Sequence, residues 1–131
     1  MNALDNLSFD QGGFAWRDIQ GQDVWNSFAP VFGSLTVVGA TAYTGRYRYV
    51  GRQGFFQAQF SAATSVASTA GTSYLTLPFK AIGLSGSAIM SDVTTKNAVG
   101  ECHVDVVNSR VYLPLQPASS DVFNISGWAE I

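Results

Sequence analysis

The residues best suited to chemistry lie on one predicted strand in the second half of the chain. Glu101, His103 and Asp105 alternate along it, so their side chains share one face and could converge on a metal ion. The same alternation is typical of the polar outer face of a half-buried strand, and one histidine with two acids on a flat strand rarely completes a coordination shell. We therefore expect no metal site and no cofactor.

The neighbouring cysteine offers a second possible chemistry. Cys102 is the only cysteine and stands beside His103, the only histidine. A thiol nucleophile needs its base within hydrogen-bond reach, but adjacent residues of a strand point to opposite faces. Cys102 shares its face with Val104 and Val106, which predicts a structural thiol in the core. The sequence also lacks a serine-nucleophile elbow and a phosphate-binding glycine loop, so we expect no enzymatic activity.

A third group mixes basic and aromatic side chains, as single-stranded nucleic-acid surfaces do. Its members are Arg46, Arg48 and Arg52, with Tyr43, Tyr47 and Tyr49. Strand alternation separates them, because the tyrosines fall on one face and Arg46 and Arg48 on the other. We interpret the tyrosines as a core or interface face. The arginines are candidates for contact with an anion or another subunit, including the acidic residues Asp18 and Asp23.

The composition limits the classes of protein that the chain can belong to. Its 131 residues are 47% apolar and 12% charged, with a net charge of −2, which suits one folded domain and excludes a disordered tail or a coiled coil. The slightly acidic balance argues against nucleic acid as the main partner. We find no signal peptide and no apolar run long enough for a membrane helix, so we expect a protein made in a reducing cytoplasm without a membrane partner.

Two regions organise the chain. Residues 1–30 have no helical or strand period and predict an irregular N-terminal arm that docks on a partner through its large aromatic side chains. These candidate docking residues are Phe9, Phe14, Trp16, Trp25 and Phe28. Residues 31–131 show seven to nine short alternating strands, with a Ser/Thr/Ala/Gly loop over 63–73 and a Gly-broken strand pair over 81–93. This spacing predicts an antiparallel β-sandwich or jelly roll.

One recurrent pattern adds to this prediction. Residues 42–60 and 72–79 resemble a module of tailed-phage and prophage structural proteins found in capsid appendages and at tail-fibre ends. The matching positions are Tyr43, Gly45, Arg46, Tyr47, Gly51, Phe55, Phe56, Leu77, Pro78 and Phe79. Trp25, Phe28, Pro30 and Phe32 are similar to its lead-in, and Gly127 with Trp128 to its closing strand. The chain departs from the pattern at Gly54, which interrupts the aromatic strand, and at Thr76.

The resemblance implies a homotrimeric jelly-roll-like protein on the virion exterior, without enzymatic activity, that contacts other virion proteins. Low charge agrees with a trimer, because identical copies can cover apolar surface in a closed ring. Two roles follow. In the first, the chain is a capsid decoration or head-fibre protein anchored by residues 1–30. In the second, it is the receptor-binding tip of a tail fibre that recognises a host glycan. About 30 residues reach at most roughly 100 Å, which favours an arm over a fibre shaft.

Overall fold

The computed structural model describes residues 24–131, and these form strands joined by short turns. Alternating apolar residues and frequent turn signals produce this pattern, because each strand buries one face only. The strands are β1 (Asn26–Phe28), β2 (Val31–Gly33), β3 (Thr36–Val38), β4 (Thr41–Val50), β5 (Gln53–Ala62), β6 (Ser65–Ser68), β7 (Tyr74–Thr76), β8 (Gly86–Asp92), β9 (Asn97–Asp105), β10 (Arg110–Tyr112), β11 (Gln116–Ser119) and β12 (Val122–Glu130). Within this part of the chain, no helix is long and apolar enough to cross a membrane.

The strands form two antiparallel sheets. Nine of them pair in the order β1-β4-β5-β12-β8-β9-β10-β7-β2, and the other three in the order β11-β6-β3. The large sheet curls around the core, and Val66 of β6 contributes a buried side chain from the small sheet. The prediction of an all-β antiparallel sandwich is therefore confirmed.

The core consists of the inward residues of the long strands. β5 alternates strictly, with Phe56, Ala58 and Phe60 almost fully buried. β12 pairs with β5 along its whole length and adds Phe123 and Ile125 to the same cluster. Because side chains alternate between faces, the residues between these positions must point outward. The packing of the core thus determines which side chains form the outer face.

Several strands differ from the sequence-based expectation. The end of the predicted arm lies in the sheet, because Asn26–Phe28 pairs with Gly45–Tyr47 of β4 and Phe28 packs on Tyr47. The predicted loop over 63–73 contains β6, which pairs with both β3 and β11. The predicted strand pair over 81–93 is one strand, β8, preceded by an irregular segment. Short strands of this kind depend on non-local partners, which a local pattern does not reveal.

Candidate functional site

The outer face of β4, β5 and β12 carries an ordered array of polar side chains. Antiparallel pairing places Arg46 directly opposite Gln57, and Thr44 directly opposite Gln59. Gln59 in turn lies opposite Asn124 of β12. Three neighbouring strands therefore bring one guanidinium, three side-chain amides and one hydroxyl onto the same surface.

These side chains surround a shallow recess that we call the amide recess. Its walls are Thr44, Arg46, Gln57, Gln59 and Asn124, with the strand backbone at Gly45 and Ala58 as its floor, and it holds about 230 Å³. The Nε of Arg46 donates a hydrogen bond of 2.7 Å to Oε1 of Gln57. Among residues 24–131, no hydrogen bond engages the side-chain amides of Gln59 and Asn124. The recess therefore presents donors and acceptors that can serve a ligand.

An indole beside the recess lies close to two positive charges. The guanidinium carbons of Arg46 and Arg48 are 4.5 Å and 4.9 Å from the ring centroid of Trp25, within the range of cation–π attraction. Arg48 also lies 5.7 Å from the centroid of Phe55, and its Nε is buried without a hydrogen-bond partner in the described chain. No ion pair to either arginine is found between residues 24 and 131. The result is a positive, aromatic surface next to uncharged amides.

The predicted separation of arginines and tyrosines is present. Tyr47 and Tyr49 face inward, where Tyr49 meets Phe79 edge-to-face at 5.8 Å. Burial, with a smaller contribution from Tyr47, raises the pKa of Tyr49. Tyr43 on the same face stays 40% exposed. Arg46 and Arg48 therefore point outward, because Tyr47 and Tyr49 on the other face of β4 pack against the core.

The other predicted contact residues have different positions. Arg52 lies in the turn between β4 and β5, beyond the end of the face that carries Arg46, and its carbonyl accepts the N–H of Ile131. Phe28 is half-buried with its ring centroid 6.0 Å from that of Tyr47, so it packs within its own sheet. Trp25 remains on the outer surface with the two arginines. The candidate docking residues Phe9, Phe14 and Trp16 lie outside the described residues.

The acid–histidine triplet of β9 does not come together as a ligand set. His103 and Glu101 are exposed, while the Asp105 carboxylate accepts hydrogen bonds from Asn108 and from the Val107 N–H. Those bonds, led by that of the Asn108 side chain, hold the pKa of Asp105 below its usual value. In the described part of the chain, no three metal-ligating side chains cluster.

Cys102 points away from His103, as alternation requires. It lies opposite Ala88 of β8 and packs half-buried against the core. Burial raises the pKa of its thiol to about 12. A thiol in this setting is protonated at neutral pH and therefore a poor nucleophile.

A second outward group lies on β7, β9 and β10, and the sequence patterns did not single it out. Tyr112 stacks with His103 at 6.4 Å and meets Tyr74 edge-to-face at 5.9 Å. Arg110 lies 4.1 Å above the ring of Tyr74, which itself covers Gly33. A recess of about 540 Å³ adjoins Tyr112 and His103. The alternation of β10 was visible in the sequence, but its pairing with β7 was not.

Comparison of the chain with protein-family models, with curated proteins and with solved structures finds no match in any of the three.

Proposed function

We propose that this chain is a non-enzymatic structural protein of the tailed-phage virion surface, a trimeric capsid decoration or head-fibre protein anchored through residues 1–30. The main support for this proposal is that the two segments that resemble the phage module, residues 42–60 and 72–79, pack against each other. Phe79 of the second segment lies 6.4 Å from Phe56 and 6.5 Å from Tyr47 of the first. Three of the matched aromatic positions, Tyr47, Phe56 and Phe79, therefore pack in one cluster that joins the two segments.

The entry of the chain into the fold supports anchoring near the arginines. Trp25 comes directly before β1, which is an edge strand of the large sheet, and its indole lies beside Arg46 and Arg48. A capsid protein that binds residues 1–24 would be brought next to this positive surface. Trp and Arg are the residue types that most often dominate interface energies, so we propose Trp25 and its two arginines as part of the docking surface.

Deleting residues 1–24 tests the anchoring role. The truncated chain should keep the β-sheet spectrum in far-UV circular dichroism, because it retains all twelve strands of the described part of the chain. It should no longer co-sediment with phage particles that lack the protein, whereas the full chain should. Full occupancy by the truncated chain would contradict anchoring by this segment and place the docking surface on the sheets.

The trimer is tested separately by analytical ultracentrifugation of the full chain at micromolar concentration. We expect a single species of three chains, about 42 kDa from a chain mass of 14.0 kDa. A stable 14.0 kDa monomer at these concentrations would contradict the trimer.

A second candidate role is the receptor-binding tip of a tail fibre that recognises a host glycan. The amide recess favours it, because uncharged amides and a guanidinium suit sugar hydroxyls. The number of copies per particle separates the two roles. A decoration protein is present in hundreds of copies, and a fibre tip in tens or fewer.

A further inference from the structure

We propose that the amide recess binds one sugar residue that carries a carboxylate, such as a uronic acid of an anionic polysaccharide. This inference goes beyond virion attachment and is independent of whether the chain sits on a capsid or a tail. It names the chemical class of a ligand and the side chains that would hold it. Arg46 would bind the carboxylate, and Gln57, Gln59 and Asn124 would bind the hydroxyl groups.

The spacing of the side chains fits a sugar ring. Residues opposite each other on neighbouring strands are about 4.8 Å apart, and alternate residues along one strand are about 6.8 Å apart. Thr44, Gln59 and Asn124 form one row across three strands, and Arg46 with Gln57 forms part of the next. Alternate hydroxyl groups of a pyranose ring are separated by a distance comparable to that between neighbouring strands. A grid of this size can therefore contact several of them at once.

The hydrogen-bonding character of the walls also matches a sugar. Each side-chain amide offers a carbonyl acceptor and an NH₂ donor, and a sugar hydroxyl likewise donates and accepts. The amides of Gln59 and Asn124 have no hydrogen-bond partner within residues 24–131, so a ligand would displace no bond in this part of the chain. A simple anion would leave the acceptor atoms of these amides unused.

The charge of the recess indicates an acidic sugar rather than a neutral one. The bond from Arg46 Nε to Gln57 fixes the guanidinium plane and leaves its terminal NH₂ groups as donors. Such a planar fork suits a carboxylate, which accepts two parallel hydrogen bonds. Arg48 lies near the same indole and adds a second positive charge that no described carboxylate neutralises. The volume of about 230 Å³ lies below that of pockets for drug-sized ligands and suits a single sugar residue.

The test uses the full chain and NMR titration with three small probes: glucuronate, glucose and acetate. We expect glucuronate to shift the side-chain NH₂ signals of Gln57, Gln59 and Asn124 in a saturable manner, with a Kd on the order of 1 mM. Glucose should bind at least fivefold more weakly, and acetate should leave the amide signals of Gln59 and Asn124 unshifted.

Matched variants identify the groups responsible. Arg46→Gln should weaken glucuronate binding about tenfold, because a charge-assisted bidentate contact is lost. Asn124→Ala should weaken the binding of glucuronate without touching any charge. Arg52→Gln removes the same charge from the neighbouring turn and should change Kd less than twofold. Asn124→Ala changes a residue outside the proposed docking surface, so this variant should lose sugar binding and keep its co-sedimentation with particles through residues 1–24. Failure of sugar binding is thereby distinguishable from failure of anchoring.

Three results would overturn the proposal. Equal shifts by acetate and glucuronate would show a simple anion site. Equal binding of glucose and glucuronate would remove the role of Arg46. An equal loss in Arg46→Gln and Arg52→Gln would assign the effect to overall charge rather than to this recess.

Discussion

Replacing Gly54 by alanine tests how tightly the aromatic cluster of Tyr47, Tyr49, Phe56 and Phe79 is packed. A Cβ at position 54 would lie 2.5 Å from Cζ of Phe79 and 2.7 Å from both of its Cε atoms. Carbon atoms in good contact are about 3.5–4.0 Å apart, so the ring would have to retreat by about 1 Å. Phe79 is only 9% exposed and lies against three other rings, which limits that movement.

The expected cost combines two opposing effects. Overpacking a filled core typically costs about 1–3 kcal/mol, whereas alanine in place of glycine in a strand recovers about 0.5–1 kcal/mol. The overlap is large and the ring of Phe79 is confined, so the overpacking cost lies in the upper part of its range, about 2–3 kcal/mol. Gly54→Ala should therefore lower the free energy of unfolding by about 1–2.5 kcal/mol. For a chain of this length, that corresponds to a fall in Tm of about 4–9 °C. Urea unfolding followed by tryptophan fluorescence measures the change directly.

A double-mutant cycle with Phe79→Ala shows whether the ring is the cause. Phe79→Ala alone should cost about 3 kcal/mol or more, as buried phenylalanines do. In that background the space beside residue 54 is empty, so Gly54→Ala should be neutral or slightly stabilising. Gly127→Ala is the control, because its Cβ would collide with backbone atoms of Ser87 and Ala88. Its cost should be the same in both backgrounds. Equal destabilisation by Gly54→Ala with and without the Phe79 ring would refute the packing argument.

Two further predictions concern titratable groups. With a thiol pKa of about 12 in place of 9.0, roughly one Cys102 in ten thousand is ionised at pH 8. Alkylation of Cys102 by a bulky maleimide should therefore be about two to three orders of magnitude slower than alkylation of an exposed thiol. Fast labelling of the native chain would contradict this burial. Asp121 hydrogen-bonds to Asp92, and this contact, followed by burial and charge repulsion, raises the pKa of Asp121. Because the pKa of Asp121 is higher in the folded chain, protonation of this carboxyl stabilises the fold at pH values below the unfolded-state pKa of about 3.8. This stabilisation is lost as the pH rises through the folded-state pKa. Asp121→Asn should therefore unfold at a higher urea concentration than the parent at pH 7, and at the same urea concentration at pH 3. Asp105→Asn removes a carboxylate of lowered pKa, so this variant should be less stable than the parent at pH 7.

The sequence pattern predicts both faces of a strand correctly where the strand is long and strictly alternating. In β5, the alternation of Phe56, Ala58 and Phe60 with glutamines assigned both faces correctly. The pattern does not predict short strands such as β1 and β6, because three or four residues show too little periodicity. The formation of these strands depends on partners elsewhere in the chain. In the sequence pattern, Gly54 interrupts an aromatic strand. The structure gives its reason, since the ring of Phe79 occupies the space that a side chain would need.

The candidate site could be only half predicted for the same physical reason. Arg46 and Gln57 belong to a hairpin, and local pairing puts them side by side. Asn124 joins them only because β12 pairs with β5, and no local pattern specifies that contact between distant parts of the chain. The tyrosine and arginine faces of β4 were visible in its alternation, but the indole that lies beside the arginines comes from the segment before β1.

The position of the amide recess on strands makes its geometry a consequence of the core. A slip of one residue in the pairing of β5 would carry Phe56 and Phe60 outward and Gln57 and Gln59 inward, so the burial of the phenylalanines fixes the register of the glutamines. Side chains of the recess contribute little to that register, and substitutions at exposed positions usually change stability by less than about 0.5 kcal/mol. Binding at the recess and stability of the fold should consequently be separable by mutation. Changes at Arg46 or Asn124 would alter recognition while the sheet that presents them stays intact.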